Sequence, residues 1–118
     1  MINKKIKSLI EKNPMAFATV DEKHEPNVIG IAYAKVVSPR QILITDNYMK
    51  KTVQNISKNK KVGLAVWNSE WKGYKFSGTA THYKKGKWKK FAEEMRENKG
   101  LPAKGAIIIS VKKITKLA

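Results

Sequence analysis

The sequence predicts a mainly β fold, a β-barrel with short helices that forms a single domain over residues 1–118. Six apolar segments predict strands, and only three segments show the spacing of an amphipathic helix. Strands at hairpin-like intervals favour an antiparallel sheet, and closing that sheet into a barrel removes its exposed edges. The length fits one domain with a modest core.

The first half of the chain predicts one helix and three strands. Residues 2–12 carry an apolar stripe at helical spacing, and Pro14 ends this helix. The strands are expected at residues 15–20, 27–37 and 41–45. The segment 27–37 is apolar almost throughout, so we expect much of it to be buried on both faces.

The second half predicts two helices and three further strands. The stripe of Met49, Val53 and Ile56 indicates a helix, and so does the stripe of Trp88, Phe91, Ala92 and Met95. The strands are expected at 62–67, 74–83 and 106–111, with Gly73 and Gly78 at turn and bulge positions.

Composition excludes some kinds of chemistry. The chain has no cysteine, which excludes disulfides, thiolate metal sites and cysteine nucleophiles. No stretch approaches the roughly 18 apolar residues of a membrane span, and the N-terminus lacks the apolar core of a signal peptide. We therefore expect a cytoplasmic protein without membrane contact. The net charge of +16 attracts nucleic acid, anionic surfaces or phosphorylated small molecules without selecting among them, and general surface enrichment in lysine gives the same charge.

No catalytic or metal-ligating set is visible in the sequence. His24 and His82 have no companion at metal-ligand spacing, so both are interpreted as ordinary turn or strand-edge residues. Glu93 and Glu94 fit a solvated helix face. No glycine-rich strand-to-helix motif is present. If the protein is redox-active, a bound cofactor must supply the reactive centre.

An anion site is predicted where the helix after the third strand begins. Lys50, Lys51 and Thr52 occupy its first turn, where the helix already carries partial positive charge and unpaired N–H groups. A phosphate would accept hydrogen bonds from these N–H groups, the lysines and the threonine hydroxyl. The alternative is that the lysines are solvated and that Thr52 only starts the helix.

In their order, these elements resemble the small FMN-binding split-barrel proteins related to pyridoxamine 5'-phosphate oxidase. The resemblance extends from Pro14 to Tyr83 and loosely beyond. It is carried by MAFATVD, PNVIGIAYAKVV, ILITDNYMKKTVQNISKNKKVGLAVW and GYKFSGTATHY. It implies a six-stranded antiparallel split barrel that forms a homodimer, with one FMN per subunit near the subunit interface.

The resemblance also implies which residues bind FMN. Lys51 and Thr52 match the positions that hold the phosphate. The flavin and ribityl chain would lie along Thr45, Asp46, Asn47, Tyr48 and Met49, and the ring beside Val28, Ile29, Gly30 and Ile31. A residue without Cβ at position 30 admits a planar ring close to the backbone, although a strand bulge would also explain this glycine.

Other positions have open interpretations. Trp67, Trp71 and Tyr74 would line the flavin or the dimer contact, and core packing is an equal alternative for Trp67. Asn55 is interpreted as a structural residue on the helix surface.

The implied function is that of a redox-active flavoprotein that transfers electrons or hydride to an unknown small acceptor, which would make it an FMN-dependent oxidoreductase. Full pyridoxamine phosphate oxidases carry an additional basic residue before a leucine-lysine strand and a C-terminal Arg and His. The segments NVIGIAYAKVV and KKITKLA contain neither feature, so oxidation of pyridoxamine 5'-phosphate is not expected. Two alternatives remain. One is a small basic β-barrel that binds nucleic acid through lysines and Trp71, Tyr74 and Trp88, and the other is the same fold with haem or a deazaflavin.

Overall fold

The computed structural model describes residues 1–117 and contains seven strands, three α-helices and one 3-10 turn. In chain order these are α1 (Lys4–Lys12), β1 (Met15–Val20), β2 (Pro26–Ile31), β3 (Lys35–Ser38), β4 (Gln41–Asp46), α2 (Lys51–Lys58), β5 (Lys61–Trp67), β6 (Gly73–Tyr83), α3 (Lys87–Glu94), the 3-10 turn (Arg96–Asn98) and β7 (Gly105–Lys116). The predicted mainly β class with short helices is confirmed.

All seven strands belong to one antiparallel sheet, in the order β2-β1-β5-β6-β7-β4-β3. The two end strands, β2 and β3, are joined in sequence by residues 32–34, yet within residues 1–117 no ladder pairs them. The barrel is therefore split along the seam between β2 and β3.

The prediction of a single buried strand over residues 27–37 is wrong, and for this reason the sheet has seven strands rather than six. β2 pairs with β1 and β3 pairs with β4, so the chain crosses from one end of the sheet to the other between Ile31 and Lys35. β2 is an edge strand, and the side chain of Val28 is 64% exposed. The crossing left no signal because residues 31–34 are apolar or aromatic rather than typical turn formers.

The two faces of the sheet differ in side-chain size. Ile29, Phe17, Leu64 and Phe76 are cross-strand neighbours, and the last three are buried in the main core. One residue along each strand, Gly30, Ala16 and Ala65 form the parallel row on the outer face, and this row ends at Lys75 on β6. Because side chains alternate between faces, large residues fill the barrel and small ones leave a shallow outer floor.

The three predicted helices are confirmed, but two residues of the predicted stripes depart from them: Met49 precedes α2, and Phe91 of α3 is 40% exposed. The side chain of Asn3 caps α1 by accepting from the N–H of Ile6 at 2.9 Å, and Ile2, Ile6 and Ile10 are buried in the main core. On the opposite side of β4 and β7, α3 covers a smaller cluster that contains Leu43, Ala92, Met95, Ala106 and Ile108. No helix within residues 1–117 has the length and apolar content to cross a membrane.

The last strand is longer than predicted, because residues 112–116 continue it beside β6. The bulge predicted at Gly78 is confirmed by a register shift between Ser77 and Gly78. A Cβ on Gly78 would meet the backbone of Ser110, and one on Gly73 would meet the backbone of Val66. Both positions therefore require glycine.

Candidate functional site

A groove of about 410 Å³ lies at the seam of the split barrel. Its walls come from β2 and the segment after it, from the end of β4 with its following turn, and from the first turn of α2. Leu101, which follows the 3-10 turn, contributes one further side chain. The seam thus brings together segments from the two ends of the sheet.

Most of the residues predicted to bind a ligand line this groove. They are Ile29, Gly30, Ile31, Thr45, Asn47, Tyr48, Met49, Lys51 and Thr52. Val28 and Asp46 do not line it. Val28 is 64% exposed on the edge strand β2, and the carboxylate of Asp46 contacts His82 instead. The groove also takes in Lys50, which belongs to the predicted anion site, and four residues that were not predicted: Asn27, Ala32, Tyr33 and Leu101.

The first turn of α2 forms the basic end of the groove. Lys50 occupies the N-cap position but supplies no side-chain hydrogen bond, and the first turn contains no acidic residue. The first N–H groups of a helix have no acceptor within the helix. Lys51 and the buried Thr52 follow directly. This end combines backbone donors, a hydroxyl and lysine charge.

Two side-chain amide contacts, one half-buried and one buried, fix α2 relative to the sheet. The Nδ2 group of Asn27 donates to Oγ1 of Thr52 at 3.3 Å, which leaves the hydroxyl proton of Thr52 free to be donated elsewhere. Asn55 donates from Nδ2 to Oγ1 of Thr19 at 3.0 Å. Asn55 is structural, as expected, but it is buried rather than on the helix surface.

Asp46 organises the turn that leads from β4 to α2. Its Oδ1 accepts from the N–H of Met49 at 3.0 Å, and its Oδ2 lies 2.8 Å from Nε2 of His82 on β6. Nζ of Lys104 donates to the carbonyl of Met49 at 3.1 Å. The interpretation of His82 as an ordinary strand-edge residue is wrong, because it forms a buried polar contact that holds the groove wall.

A second polar network supports the wall from the C-terminal half of the chain. The side-chain amides of Asn47 and Asn98 exchange hydrogen bonds at 2.8 and 3.1 Å, and the hydroxyl of Tyr33 also donates to Oδ1 of Asn98. The N–H of Ala103 donates to Oδ1 of Asn47 at 2.9 Å. No local pattern indicates the role of Asn98, because its partners lie 51 and 65 residues away along the chain.

Gly30 lies in a regular part of the ladder, opposite Ala16, and the β1–β2 register shows no shift there. The alternative explanation by a strand bulge is therefore wrong. A Cβ built on Gly30 would have no protein atom within 4 Å. Protein packing does not require glycine at this position, and the strand surface is open to close approach.

The groove is electropositive. No carboxylate is among its lining residues, which include Lys50 and Lys51. Just outside, Nζ of Lys51 lies 3.5 Å from Oδ2 of Asp21 in the β1–β2 turn. The N–H of Glu25 donates to Asp21 and is the largest cause of a lowered pKa of this carboxyl, and Lys23 and Lys51 act in the same direction. Lys51 therefore already faces an anion across the edge of the groove.

The predicted aromatic residues lie elsewhere. Trp67 and Trp71 stack with ring centroids 6.3 Å apart at the turn between β5 and β6, and neither lines the groove. Tyr74 packs partly against the main core, and Trp88 packs against the smaller cluster under α3. Within residues 1–117, no group of three or more His, Cys, Asp or Glu side chains is placed to hold a metal.

The fold and groove define a split-barrel protein with an electropositive site at its seam. The family model described as pyridoxamine 5'-phosphate oxidase matches residues 2–118, and the chain therefore belongs to this family. An uncharacterised protein of Methanocaldococcus jannaschii is 37% identical over 116 residues, which covers 95% of this chain and 77% of that protein.

Solved structures share the whole architecture. HupZ of Group A Streptococcus is 29% identical, with a TM-score of 0.92, and the match covers 99% of this chain and 94% of that one. An FMN-binding protein from Syntrophomonas wolfei is 20% identical, with a TM-score of 0.81 and coverage of 98% and 85%. At that identity, the second structure shows a shared fold.

Proposed function

We propose that this protein binds FMN in the seam groove and uses the flavin to transfer electrons or hydride to a small acceptor. The observation that carries the proposal is the convergence of β2, the β4–α2 turn and the first turn of α2 on one groove without carboxylates. The FMN-binding protein from Syntrophomonas wolfei, which shares the fold, supports the choice of ligand.

The phosphate belongs at the first turn of α2. A phosphate there accepts from free backbone N–H groups, from the Thr52 hydroxyl and from Lys51, and it lies at the positive end of the helix dipole. Lys51 then exchanges its contact with Asp21 for a contact with the phosphate. Lys50 is also exposed and lines the groove. Because it occupies the N-cap position and not the first turn of α2, we assign the main phosphate contacts to Lys51 and Thr52.

The ring belongs beside β2. Ile29 and Ile31 line the groove with apolar surface, and Gly30 leaves the strand accessible. Tyr48 is 72% exposed and lies on the opposite wall, so its ring is available to cover a planar ligand. The segment from Thr45 to Met49 connects this region to the phosphate end.

The residues of the groove bind and orient rather than catalyse. Its lining includes no histidine and no carboxylate, so these residues supply no general base of the usual types. FMN, when bound, supplies the redox chemistry. The buried contacts of Asp46 and Asn98 hold the wall in place, which gives a bound ring a defined orientation.

The visible spectrum of the purified protein, followed by mass analysis of released cofactor and titration of the apoprotein with FMN, tests the proposal. We expect a flavin spectrum, or saturable quenching of FMN fluorescence at one FMN per chain. A haem or deazaflavin spectrum would identify that cofactor, and not FMN, as the ligand. A colourless protein that does not quench FMN fluorescence would contradict flavin binding.

We also propose that the functional unit is a homodimer whose contact is the outer floor of the sheet. The row Gly30, Ala16 and Ala65 has only small side chains, Ala18 and Gly63 continue it, and Lys75 borders it. A second copy seated on this floor would reach Gly30, so the groove would lie next to the interface. Light scattering should show a dimer, and Ala65→Arg should yield monomer. A wild-type monomer would contradict the proposal.

A further inference from the structure

A second cleft, of about 630 Å³, lies between α1, the β5–β6 turn and the end of β7. It shares no lining residue with the seam groove. Its lining combines one exposed indole, Trp71, with Tyr74, several neutral polar side chains and four lysines. Its volume falls within the usual range of small-molecule sites, about 300–1,000 Å³. This cleft plays no part in the function proposed above.

Trp71 has an unusual backbone conformation. Its φ is +65°, a conformation that favours glycine and that bulky side chains rarely adopt. The turn enforces it, because Oδ1 of Asn68 accepts from the N–H groups of Glu70 and Lys72 at 2.9 and 3.1 Å, and the carbonyl of Asn68 accepts from Trp71. The ring is still 76% exposed, with Trp67 stacked nearby. A strained and exposed tryptophan indicates a surface kept for a ligand.

The charged side chains that line the cleft are all lysines, and the carboxylate nearest to Trp71 in the sequence, that of Glu70 in the turn before it, is not part of the lining. Lys5 and Lys12 come from α1, Lys72 from the turn and Lys116 from β7, and the lining includes no carboxylate. Among residues 1–117, none of these four lysines lies within 4.0 Å of a carboxylate oxygen, whereas Lys35, Lys51, Lys58, Lys89 and Lys104 do. The four cations of the cleft are thus available to an external anion.

We propose that this cleft binds a free nucleotide, with its base stacked on Trp71 and its phosphates held by the four lysines. A planar ring matches the open indole, and a phosphate matches unpaired lysine charge. Neither half of the ligand is sufficient, because a bare phosphate leaves the aromatic surface uncovered and a nucleoside leaves the lysines unpaired. A single exposed indole favours one nucleotide over a strand, which needs successive stacking platforms.

The test is isothermal titration calorimetry of the full chain, loaded with one FMN per chain and freed of unbound flavin, with AMP as the probe at moderate salt. We expect saturable binding of one AMP per chain, and weaker binding of both adenosine and ribose 5-phosphate. Trp71→Gly should weaken AMP binding about tenfold or more, and glycine suits the backbone at this position. Phe91→Ala, which removes another exposed aromatic ring, should leave AMP binding unchanged.

Charge variants form a second arm. The double variant Lys12→Ala and Lys116→Ala should weaken AMP binding, whereas Lys84→Ala with Lys85→Ala, outside the cleft, should not. Equal binding of AMP and ribose 5-phosphate, unchanged binding by Trp71→Gly, or binding of oligothymidylate without binding of AMP would overturn the proposal. The absorbance of bound flavin in the same samples measures occupancy of the seam groove independently of AMP binding. A failure of the nucleotide proposal is therefore distinguishable from a failure of the FMN proposal.

Discussion

The seam groove and the Trp71 cleft are both basic, and neither has a carboxylate in its lining. They differ in how their walls are held. Buried or half-buried polar contacts of Asp46, Asn98 and Thr52 fix the groove, whereas a single surface turn around Asn68 positions Trp71. Positive charge is therefore a poor marker of a site in a chain with 25 Lys and Arg residues. The hydrogen bonds that hold the walls are a better indication of where a site lies.

The difference also concerns specificity. A wall fixed by buried hydrogen bonds holds its donors in one geometry, which suits a ligand that must be oriented for chemistry. Long exposed lysines adapt to many anions at a cost in side-chain entropy. We therefore expect the groove to be selective among flavins and the cleft to accept nucleotides with different bases.

The largest expected effect is on the free energy of unfolding, and it distinguishes the asparagines that support the two sites. Asn98→Ala removes three side-chain hydrogen bonds and leaves the amide of Asn47 without its partner, which should lower the free energy of unfolding by about 2–3 kcal/mol. Asn68→Ala, at an exposed turn, should cost about 1 kcal/mol or less. Urea unfolding measures both.

The same pair of variants separates the sites by function. Under conditions where it is folded, Asn98→Ala should bind FMN more weakly and AMP normally, and Asn68→Ala should show the reverse. If both variants weakened both ligands equally, the two sites would not be independent.

A smaller effect is expected from Gly30→Val. Within one chain the added side chain meets open space, and a β-branched residue suits a strand, so the fold of each subunit should be retained. A flavin ring beside this strand would lose its close approach, and FMN binding should weaken about tenfold, or about 1.4 kcal/mol. AMP binding in the cleft serves as the internal control. Normal FMN affinity in this variant would place the ring elsewhere.

The smallest effect concerns Asp21, the carboxylate that faces Lys51. Hydrogen bonds from the backbone, first that of Glu25, together with Lys51, lower the pKa of Asp21 below its ordinary value of 3.8. A lowered pKa in the folded state contributes stability that is present above the unfolded pKa and is lost as pH falls through the folded value. The stability difference between wild type and Asp21→Asn should therefore hold at pH 6 and shrink below about pH 4. A difference that grew on acidification would contradict this sign.

Local patterns predicted most of the fold. The stripes of α1, α2 and α3 and the apolar runs of most strands are visible in sequence because each depends on residues close along the chain. The crossing between β2 and β3 was missed because residues 31–34 contain no typical turn former. The length of β7 is not evident from the sequence because residues 112–116 contain three lysines and only one large apolar residue, Ile114, without a regular alternation.

The candidate site was only partly predictable. Lys51 and Thr52 were found because their position at a helix start is local. Asn98, Leu101 and the contact between His82 and Asp46 depend on segments brought together by the sheet. The same limit applies to the Trp71 cleft, because α1 and the end of β7 meet only in the folded chain.

The most direct test of the central claim compares FMN with riboflavin, which lacks the phosphate, on two matched variants. Lys51 and Lys58 lie in the same helix, are 54% and 60% exposed, and each faces a carboxylate of the β1–β2 turn, at 3.5 and 3.7 Å. Only Lys51 lines the groove. Lys51→Ala should weaken FMN binding about tenfold or more and leave riboflavin affinity unchanged, whereas Lys58→Ala should affect neither. Equal losses for the two ligands, or for the two variants, would contradict a phosphate site at the start of α2.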